Sequence, residues 1–246
     1  MRLDQAIAAR FPDVSRRKAR ELLAAHRVLV NERQVSIASR EIAEGDRIAI
    51  VEARPEIAIL ALSDEWVAVD KPPGIAVQPG REREQRSLVE LLQVQLKRAG
   101  EKGELFVVHR IDTQTSGVVV FARTRAGAAR LSALFAERSI AKTYAAVVEG
   151  SIVKELTIDA PIEGRDALTI VRPLEPRNGT TLIEAEIRTG RTHQIRIHLS
   201  SAGHPIVGDR RYGATRAAKR MLLHAWKLSH PSLAELEAPL PDDIRG

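Results

Sequence analysis

The 246-residue chain contains no cysteine, which excludes disulfides and any zinc or iron–sulfur centre held by thiolates. Aromatic residues make up only 3% of it, too sparse for the stacking platforms that bind single-stranded nucleic acid. Long apolar runs are missing too. Gly117–Ala122 is among the longest, far below the roughly 20 residues a membrane-spanning helix needs. The opening Met1-Arg2-Leu3-Asp4 carries an acid and no apolar h-region, so a secretory signal is not expected and the protein reads as soluble and cytoplasmic. No internal repeat or low-complexity tract appears, and glycine-rich strand–helix turns are lacking. That last absence argues against a doubly wound nucleotide-binding fold.

What is there is an uneven positive charge. Lys and Arg number 38 against 32 Asp and Glu. From Arg188 to Arg220 eight basic side chains (Arg188, Arg191, Arg196, Arg210, Arg211, Arg216, Lys219, Arg220) face one acid, Asp209. From Ser15 to Arg33 six basic residues face two acids. Two such patches suit a polyanionic partner, although a solvated arginine-rich face would look the same.

The first ~50 residues form a pattern of their own. Leu3, Ala6, Ile7 and Ala9 suit a short helix ending near Phe11-Pro12. Ser15 is a candidate N-cap for a second helix that carries Arg16, Arg17, Lys18 and Arg20 in its first turns. Cations there oppose the helix dipole, which points to their use on something else. Val28-Leu29-Val30, a turn at Asn31-Glu32-Arg33, and a strand-like Arg47–Val51 after Gly45-Asp46 complete a helix–helix–β unit. Arg2-Leu3-Asp4, Ser15-Arg16-Arg17-Lys18-Ala19, Val28-Leu29-Val30-Asn31 and Gly45-Asp46-Arg47-Ile48 resemble the S4 RNA-binding domain. The resemblance implies that Arg16, Arg17, Lys18 and Arg20 contact RNA phosphates. A helical cap packed on the main domain is the plain alternative.

Glu52–Glu56, with Pro55, reads as a linker, giving expected domains at 1–52 and 58–246. In the second, Trp66–Val69 is a short buried strand closed by the turn Lys71-Pro72-Pro73-Gly74. Ser87 and Glu90 form a capping box ahead of Leu88, Leu91, Leu92 and Leu96, with Gly100 to stop that helix. Val118–Ala122 is a strand, Arg125–Arg138 a helix, and Lys142–Val148 and Leu182–Arg188 are strands. The irregular interleaving predicts an α+β domain on one large mixed sheet.

Two segments carry the chemistry. In the first, His109-Arg110-Ile111-Asp112-Thr113-Gln114-Thr115-Ser116-Gly117, a carboxylate lies between two apolar runs in a loop rich in hydroxyls, which can cap amides and fix a turn. A lone Asp of this kind is more often a turn former. The second, Thr189–Leu199, is ambiguous in period. Its end signals favour a helix capped by Thr192 and closed by Gly203, with Pro205 beyond. Arg196 then stands mid-helix beside a buried stripe, a costly place for an unpartnered charge. His193 and His198 are five apart among arginines, poor geometry for a metal, and no metal is expected.

With Lys71-Pro72-Pro73-Gly74, Lys142-Thr143-Tyr144, Gly203–Asp209, Tyr212-Gly213 and Leu223-His224-Ala225, these segments closely resemble the RluA-type pseudouridine synthases. The resemblance runs through most of the chain, and Ile111 stands where Leu is commoner. It implies that Asp112 is the catalytic aspartate and that Tyr144 packs on the target base and assists proton removal from C5. Arg196 would pair with Asp112, Leu223 line the base pocket, and Arg110 fill the gap left by the flipped nucleotide. Arg191 becomes a further substrate contact.

The chemistry so implied breaks the N1–C1′ bond of a uridine, turns the base and joins C5 to C1′. None of this requires a cofactor. It requires a carboxylate that an arginine orients and keeps ionised, and a base taken out of its stack. A carboxylate nucleophile also serves retaining glycosidases, but these need a second acid, and none accompanies Asp112 in its segment. An RNA-binding assembly factor that kept the fold without the activity is the rival class. His109 and His224 are expected to be structural. Ribosomal RNA is the favoured partner, with transfer RNA possible, and a monomer is expected.

Overall fold

The computed structural model describes residues 1–24, 27–51, 56–80 and 87–246. Most of the expected linker, residues 52–55, lies outside the described residues. The chain forms two compact units, Met1–Glu56 and Ile57–Gly246.

The first unit holds α1 (Leu3–Arg10), α2 (Arg16–Ala24), β1 (Val28–Val30), β2 (Arg33–Gln34) and β3 (Ile48–Ile50), with an antiparallel sheet in the order β2-β1-β3. Leu3, Ile7, Leu22, Leu23, Val28 and Val30 make its core. Ser15 Oγ accepts the Lys18 N–H at 3.2 Å, the N-cap bond expected from the sequence. The β1–β2 turn places Asn31 and Glu32 at φ 50° and 65°. Two successive left-handed residues are what a tight hairpin turn demands.

The second unit contains β4 (Ala58–Leu62), β5 (Trp66–Lys71), α3 (Leu88–Arg98), β6 (Phe106–Val107), β7 (Ser116–Ala122), α4 (Arg125–Ala136) and β8 (Ala141–Glu149). There follow β9 (Leu156–Ile158), β10 (Thr169–Arg177), β11 (Thr180–Ile187), α5 (Gln194–Ser201), β12 (Leu223–His230), β13 (Leu233–Glu237) and α6 (Asp242–Arg245). Among the described residues its strands form one ten-stranded sheet in the order β4-β5-β7-β12-β8-β11-β10-β9, with β13 on β12 and β6 on β7. β7 and β12 run parallel while their other neighbours are antiparallel, so the sheet is mixed and the class is α+β.

β7 is buried along its whole length and feeds two cores. Val119 and Phe121 meet Leu88, Leu92 and Leu96 of α3 on one face, and Val118, Val120 and Ala122 meet Leu131 of α4 on the other. That alternation is the period-two signature of a strand covered on both sides. Further along the sheet, Ala146, Ile183 and Ala185 pack against Ile195 and Leu199 of α5. The capping box at Ser87 and Glu90 is present. α4 stops at Ala136, short of the expected Arg138, because Arg138 turns left-handed at φ 58°.

At the start of β7, Gly117 has φ 111°, and a Cβ there would fall 2.2 Å from the Ala225 carbonyl oxygen. Only glycine lets β7 and β12 approach so closely. The junction leaves the Asp112 loop opening directly onto the ends of both strands. Among the described residues no helix is long and apolar enough to cross a membrane.

Candidate active site

The loop between β6 and β7 is held from beneath by a buried lysine. Lys71 is fully enclosed, and its Nζ donates to the carbonyl oxygens of Pro72 (2.9 Å), Ile75 (2.8 Å) and Thr113 (2.9 Å). Burial pulls its pKa down to about 7, against the opposing attraction of Asp112. Three carbonyl acceptors call for three N–H groups, which only the ammonium supplies. The Thr113 carbonyl also takes the Gly74 N–H at 2.8 Å, and the Asp112 carbonyl takes the Thr115 N–H at 3.1 Å. The turn that carries Asp112 is therefore fixed by Lys71 and by backbone. The sequence reading had given that part to the loop hydroxyls. Ser116, the best engaged of them, faces His224 Nδ1 at 2.8 Å instead.

Arg196 reaches this turn from the first half of α5. Its Nη1 donates to Asp112 Oδ2 at 3.0 Å. The rest of the guanidinium grips Asp209 with two bonds, Nε to Oδ2 at 2.7 Å and Nη2 to Oδ1 at 2.8 Å. Burial alone would make Arg196 easier to deprotonate, but the bonds to Asp209 and Asp112 outweigh it and raise its pKa. The charge foreseen as costly in mid-helix thus has two partners. Asp209, buried just ahead of the short 3-10 turn Arg210–Tyr212, was quoted from the sequence without a role. Both its oxygens are spent on Arg196, so it is an anchor for the arginine and not a free acid.

The helix start differs from expectation. Thr192 does not cap α5; the N-cap is His193, in the left-handed conformation at φ 55° and ψ 25°. The reason lies in Gln194, a buried amide whose Oε1 accepts from Thr189 Oγ1 (2.6 Å) and the Arg191 N–H (3.1 Å). Its Nε2 donates to the Leu168 carbonyl (2.9 Å) and to Thr169 Oγ1 (3.1 Å). Folding that side chain back, with Gln194 N–H on the Arg191 carbonyl at 3.1 Å, forces residue 193 to positive φ. A non-glycine residue there costs on the order of 1–3 kcal/mol, a strain found most often at functional sites.

His193 Nδ1 lies 2.8 Å from Tyr212 Oη, and its Nε2 faces Asp112 Oδ1 at 3.8 Å. The Tyr212 ring in turn lies under the Arg196 and Arg211 guanidinium groups, at 4.8 and 5.7 Å. Burial lowers the His193 pKa; Asp112 and Asp209 oppose this, while Arg196 and Arg211 add to it. Neither Lys71, Gln194, His193 nor Tyr212 was nominated from the sequence. The signal available for Lys71 was a charged residue closing a buried strand ahead of Pro-Pro-Gly.

A cavity of about 670 Å³ opens over these groups, and Arg110, Asp112, Tyr144, Arg191, Arg196 and Leu223 all line it. Tyr144 projects from β8, and Leu223, buried, begins β12 beside it. Burial and the nearby Asp112 carboxylate raise the Tyr144 pKa, so the phenol keeps its proton. Arg110 is exposed, and Arg191 is tethered by Nε to the Asp166 carbonyl at 3.0 Å. His109 accepts the Val120 N–H at 2.9 Å and stacks on Phe135; burial, with Lys142 adding to it, pushes its pKa down to about 3. Burial brings His224 to about 4. His198 is committed to Thr169 and the Ala160 carbonyl at 2.9 Å each.

In the first unit, described by itself, the basic residues of α2 are already partnered. Arg16 and Arg20 reach Oδ2 of the buried Asp4 at 3.3 and 3.0 Å, and Arg2 reaches Oδ1 at 3.1 Å. Arg17 and Lys18 lie 3.9 and 3.2 Å from Glu21. Burial would raise the Asp4 pKa, but the three arginines overcome it and bring it down to about 2. All four residues keep exposed faces.

The family model described as RNA pseudouridylate synthase matches residues 65–201, and that of the S4 domain matches residues 1–48. The chain is similar to ribosomal large subunit pseudouridine synthase D of Nitrosomonas europaea, with 31% identity covering 99% of this chain and 82% of that protein. It is similar to an uncharacterized RNA pseudouridine synthase of Bacillus subtilis, with 34% identity covering 83% and 76%. Among solved structures, human RNA pseudouridylate synthase domain containing 4 aligns with a TM-score of 0.66 and 25% identity, covering 76% of this chain and 90% of that one.

Proposed function

The chain belongs to the RNA pseudouridylate synthase family, an isomerase that acts on RNA, and on that footing we propose that it converts specific uridines of ribosomal RNA with Asp112 as nucleophile. The observation that carries the nucleophile assignment is the bond between Arg196 Nη1 and Asp112 Oδ2 at 3.0 Å, at the wall of the cavity. An arginine that donates a charge-assisted bond to one carboxylate oxygen fixes the orientation of the group and aims the other oxygen. The choice of ribosomal RNA rests on the relatives whose names specify the large ribosomal subunit and on the match to the S4 domain. A monomer acting in the cytoplasm without metal or cofactor completes the proposal, with a catalytic domain over 58–246 and an RNA-binding domain over 1–52.

The reaction conserves all atoms of the nucleotide. The N1–C1′ bond breaks, the freed uracil turns within the cavity, and C5 bonds to C1′. A proton leaves C5 and N1 gains one. Asp112 holds the sugar or the ring while the base turns, by forming and then releasing an ester bond. Tyr144 and Leu223 face the turning base. With its proton retained, Tyr144 acts in the resting site as a packing surface and hydrogen-bond donor, and serves as a base only if substrate binding lowers its pKa. Arg110, exposed at the rim, is free to enter the stack that the flipped base leaves. Arg191, Arg16, Arg17, Lys18 and Arg20 are assigned to phosphates.

The test is tritium release from RNA carrying 5-tritiated uridine, with ribosomal and transfer RNA in separate tubes. Release from the ribosomal pool, without free uracil, is the expected result. Free uracil would make the protein a glycosidase. Tight binding without release from mature or precursor RNA would make it an assembly factor.

A further inference from the structure

The Asp112 carboxylate is held unsymmetrically. Oδ2 takes the Arg196 bond at 3.0 Å. Oδ1 accepts no hydrogen bond among the described residues and faces His193 Nε2 at 3.8 Å. His193 in turn is fixed twice over. Its backbone is locked left-handed by the Gln194 side chain, and its ring is pinned by Tyr212 Oη on Nδ1 at 2.8 Å. Tyr212 is itself anchored, since its carbonyl accepts from Ser200 Oγ at 2.7 Å and its ring lies under Arg196.

We infer that Oδ1 is the oxygen that reaches the substrate, and that His193, locked by Tyr212, is the positioning residue that aims it. The inference rests on Asp112 being the nucleophile. When the Tyr212 hydroxyl donates across its 2.8 Å contact with Nδ1, the ring takes the tautomer in which Nε2 carries the hydrogen, and that N–H then points at Oδ1. At 3.8 Å this is not a hydrogen bond. It is a separation that leaves the lone pairs of Oδ1 free, while the N–H dipole biases the carboxylate rotation, and catalytic contacts of this kind shorten when substrate closes the site. The groups facing the imidazole are Asp112, Asp209, Arg196, Arg211 and Tyr212. Burial favours the neutral ring, with two carboxylates opposing that pull and two guanidinium groups adding to it. The left-handed backbone that Gln194 imposes at this residue sets the ring between Tyr212 Oη and Asp112 Oδ1.

The experiment compares Tyr212→Phe, His193→Gly and His193→Asn with wild type and Asp112→Asn, on whichever RNA pool releases tritium. Each is measured for kcat, RNA KM and melting temperature. Glycine accepts the left-handed backbone and removes the ring; asparagine tolerates that backbone and returns an N–H donor. Tyr212→Phe keeps the ring beneath Arg196 and removes only the hydroxyl. The expected losses in kcat are about tenfold for Tyr212→Phe and about a hundredfold for His193→Gly, a size typical of a lost aligned group. KM and melting temperature stay near wild type, and His193→Asn recovers most of the glycine loss. Losses confined to KM, losses that track melting temperature, or an asparagine variant no better than glycine overturn the inference. Wild-type kcat in both Tyr212→Phe and His193→Gly, beside an inactive Asp112→Asn, overturns it while sparing the nucleophile reading. An active Asp112→Asn overturns both.

Discussion

Arg196 does two jobs with one guanidinium, and they can be separated. Its two bonds hold buried Asp209, and its single bond to Asp112 is the one assigned to the proposed chemistry. Arg196→Ala strands Asp209 in the interior, and breaking such a pair from one side costs about 3–5 kcal/mol. That variant is expected to lose activity and chemical-denaturation stability together. In Arg196→Met combined with Asp209→Leu no buried charge is left alone, so stability returns toward wild type while activity stays lost. Recovery of both in the double variant would deny Arg196 any part in the chemistry. A glycosidase would need two working acids here, and Asp209 has no free oxygen with which to be the second.

At the scale of elements, Asp4 ties α1 to α2 through Arg16 and Arg20. This answers why a helix begins with so many cations against its own dipole: part of that charge is spent on a buried acid of the neighbouring helix. The folded-state pKa of Asp4 is depressed, from 3.8 to about 2. A depressed acid contributes stability that is fully present above its unfolded value and is lost as pH falls through the folded one. Hydrogen-exchange protection of α1 and α2, corrected for intrinsic rates, should therefore fall between about pH 4 and pH 2. Asp4→Asn should lack that step; an identical pH dependence in both proteins would contradict the assignment.

The helices α1 to α5 and the strands β5, β7, β8 and β11 were legible, because their signals are local, whereas β4, β6, β9, β10, β12 and β13 were not named from the sequence. The Ser15 cap, the Ser87–Glu90 box, the alternation of β11 and the turn after Lys71 all stand in sequence where they stand in space. The meeting of Arg196 with Asp112 was legible only through resemblance, since 84 residues separate them. What was missed depends on long-range partners. Nothing near Thr192 tells that Gln194 folds back on Thr189 and Leu168 and so moves the cap to His193. Nothing beside Arg16 tells that Asp4, twelve residues earlier, will claim it.

Over the whole molecule, the positive balance is less free than the sequence suggests. Of the eight basic residues from Arg188 to Arg220, Arg188 pairs with Glu186 at 2.7 Å, Arg220 with Asp243 at 2.7 Å, and Arg196 with two acids. Arg210, Arg211 and Lys219 remain exposed. The 38 basic residues, set against 32 acidic ones, are thus divided between holding the fold and standing exposed at the surface. Arg16 and Arg20 of α2 and Arg196 of α5 show the same economy, a charge fixed by an internal carboxylate with donors left over. A guanidinium has five N–H donors; these carboxylates take one each from Arg16 and Arg20 and three in all from Arg196.

The account turns on one carboxylate, and the most direct measurement is the single-turnover rate of Asp112→Asn against wild type on ribosomal RNA, with the dissociation constant measured alongside. The substitution keeps the shape and the Arg196 side of the site but removes the proposed nucleophile. A rate loss on the order of 10⁴-fold or more with unchanged RNA affinity is the expected result. A rate within tenfold of wild type would contradict the account, and Asp112 would return to being the residue that merely shapes its turn.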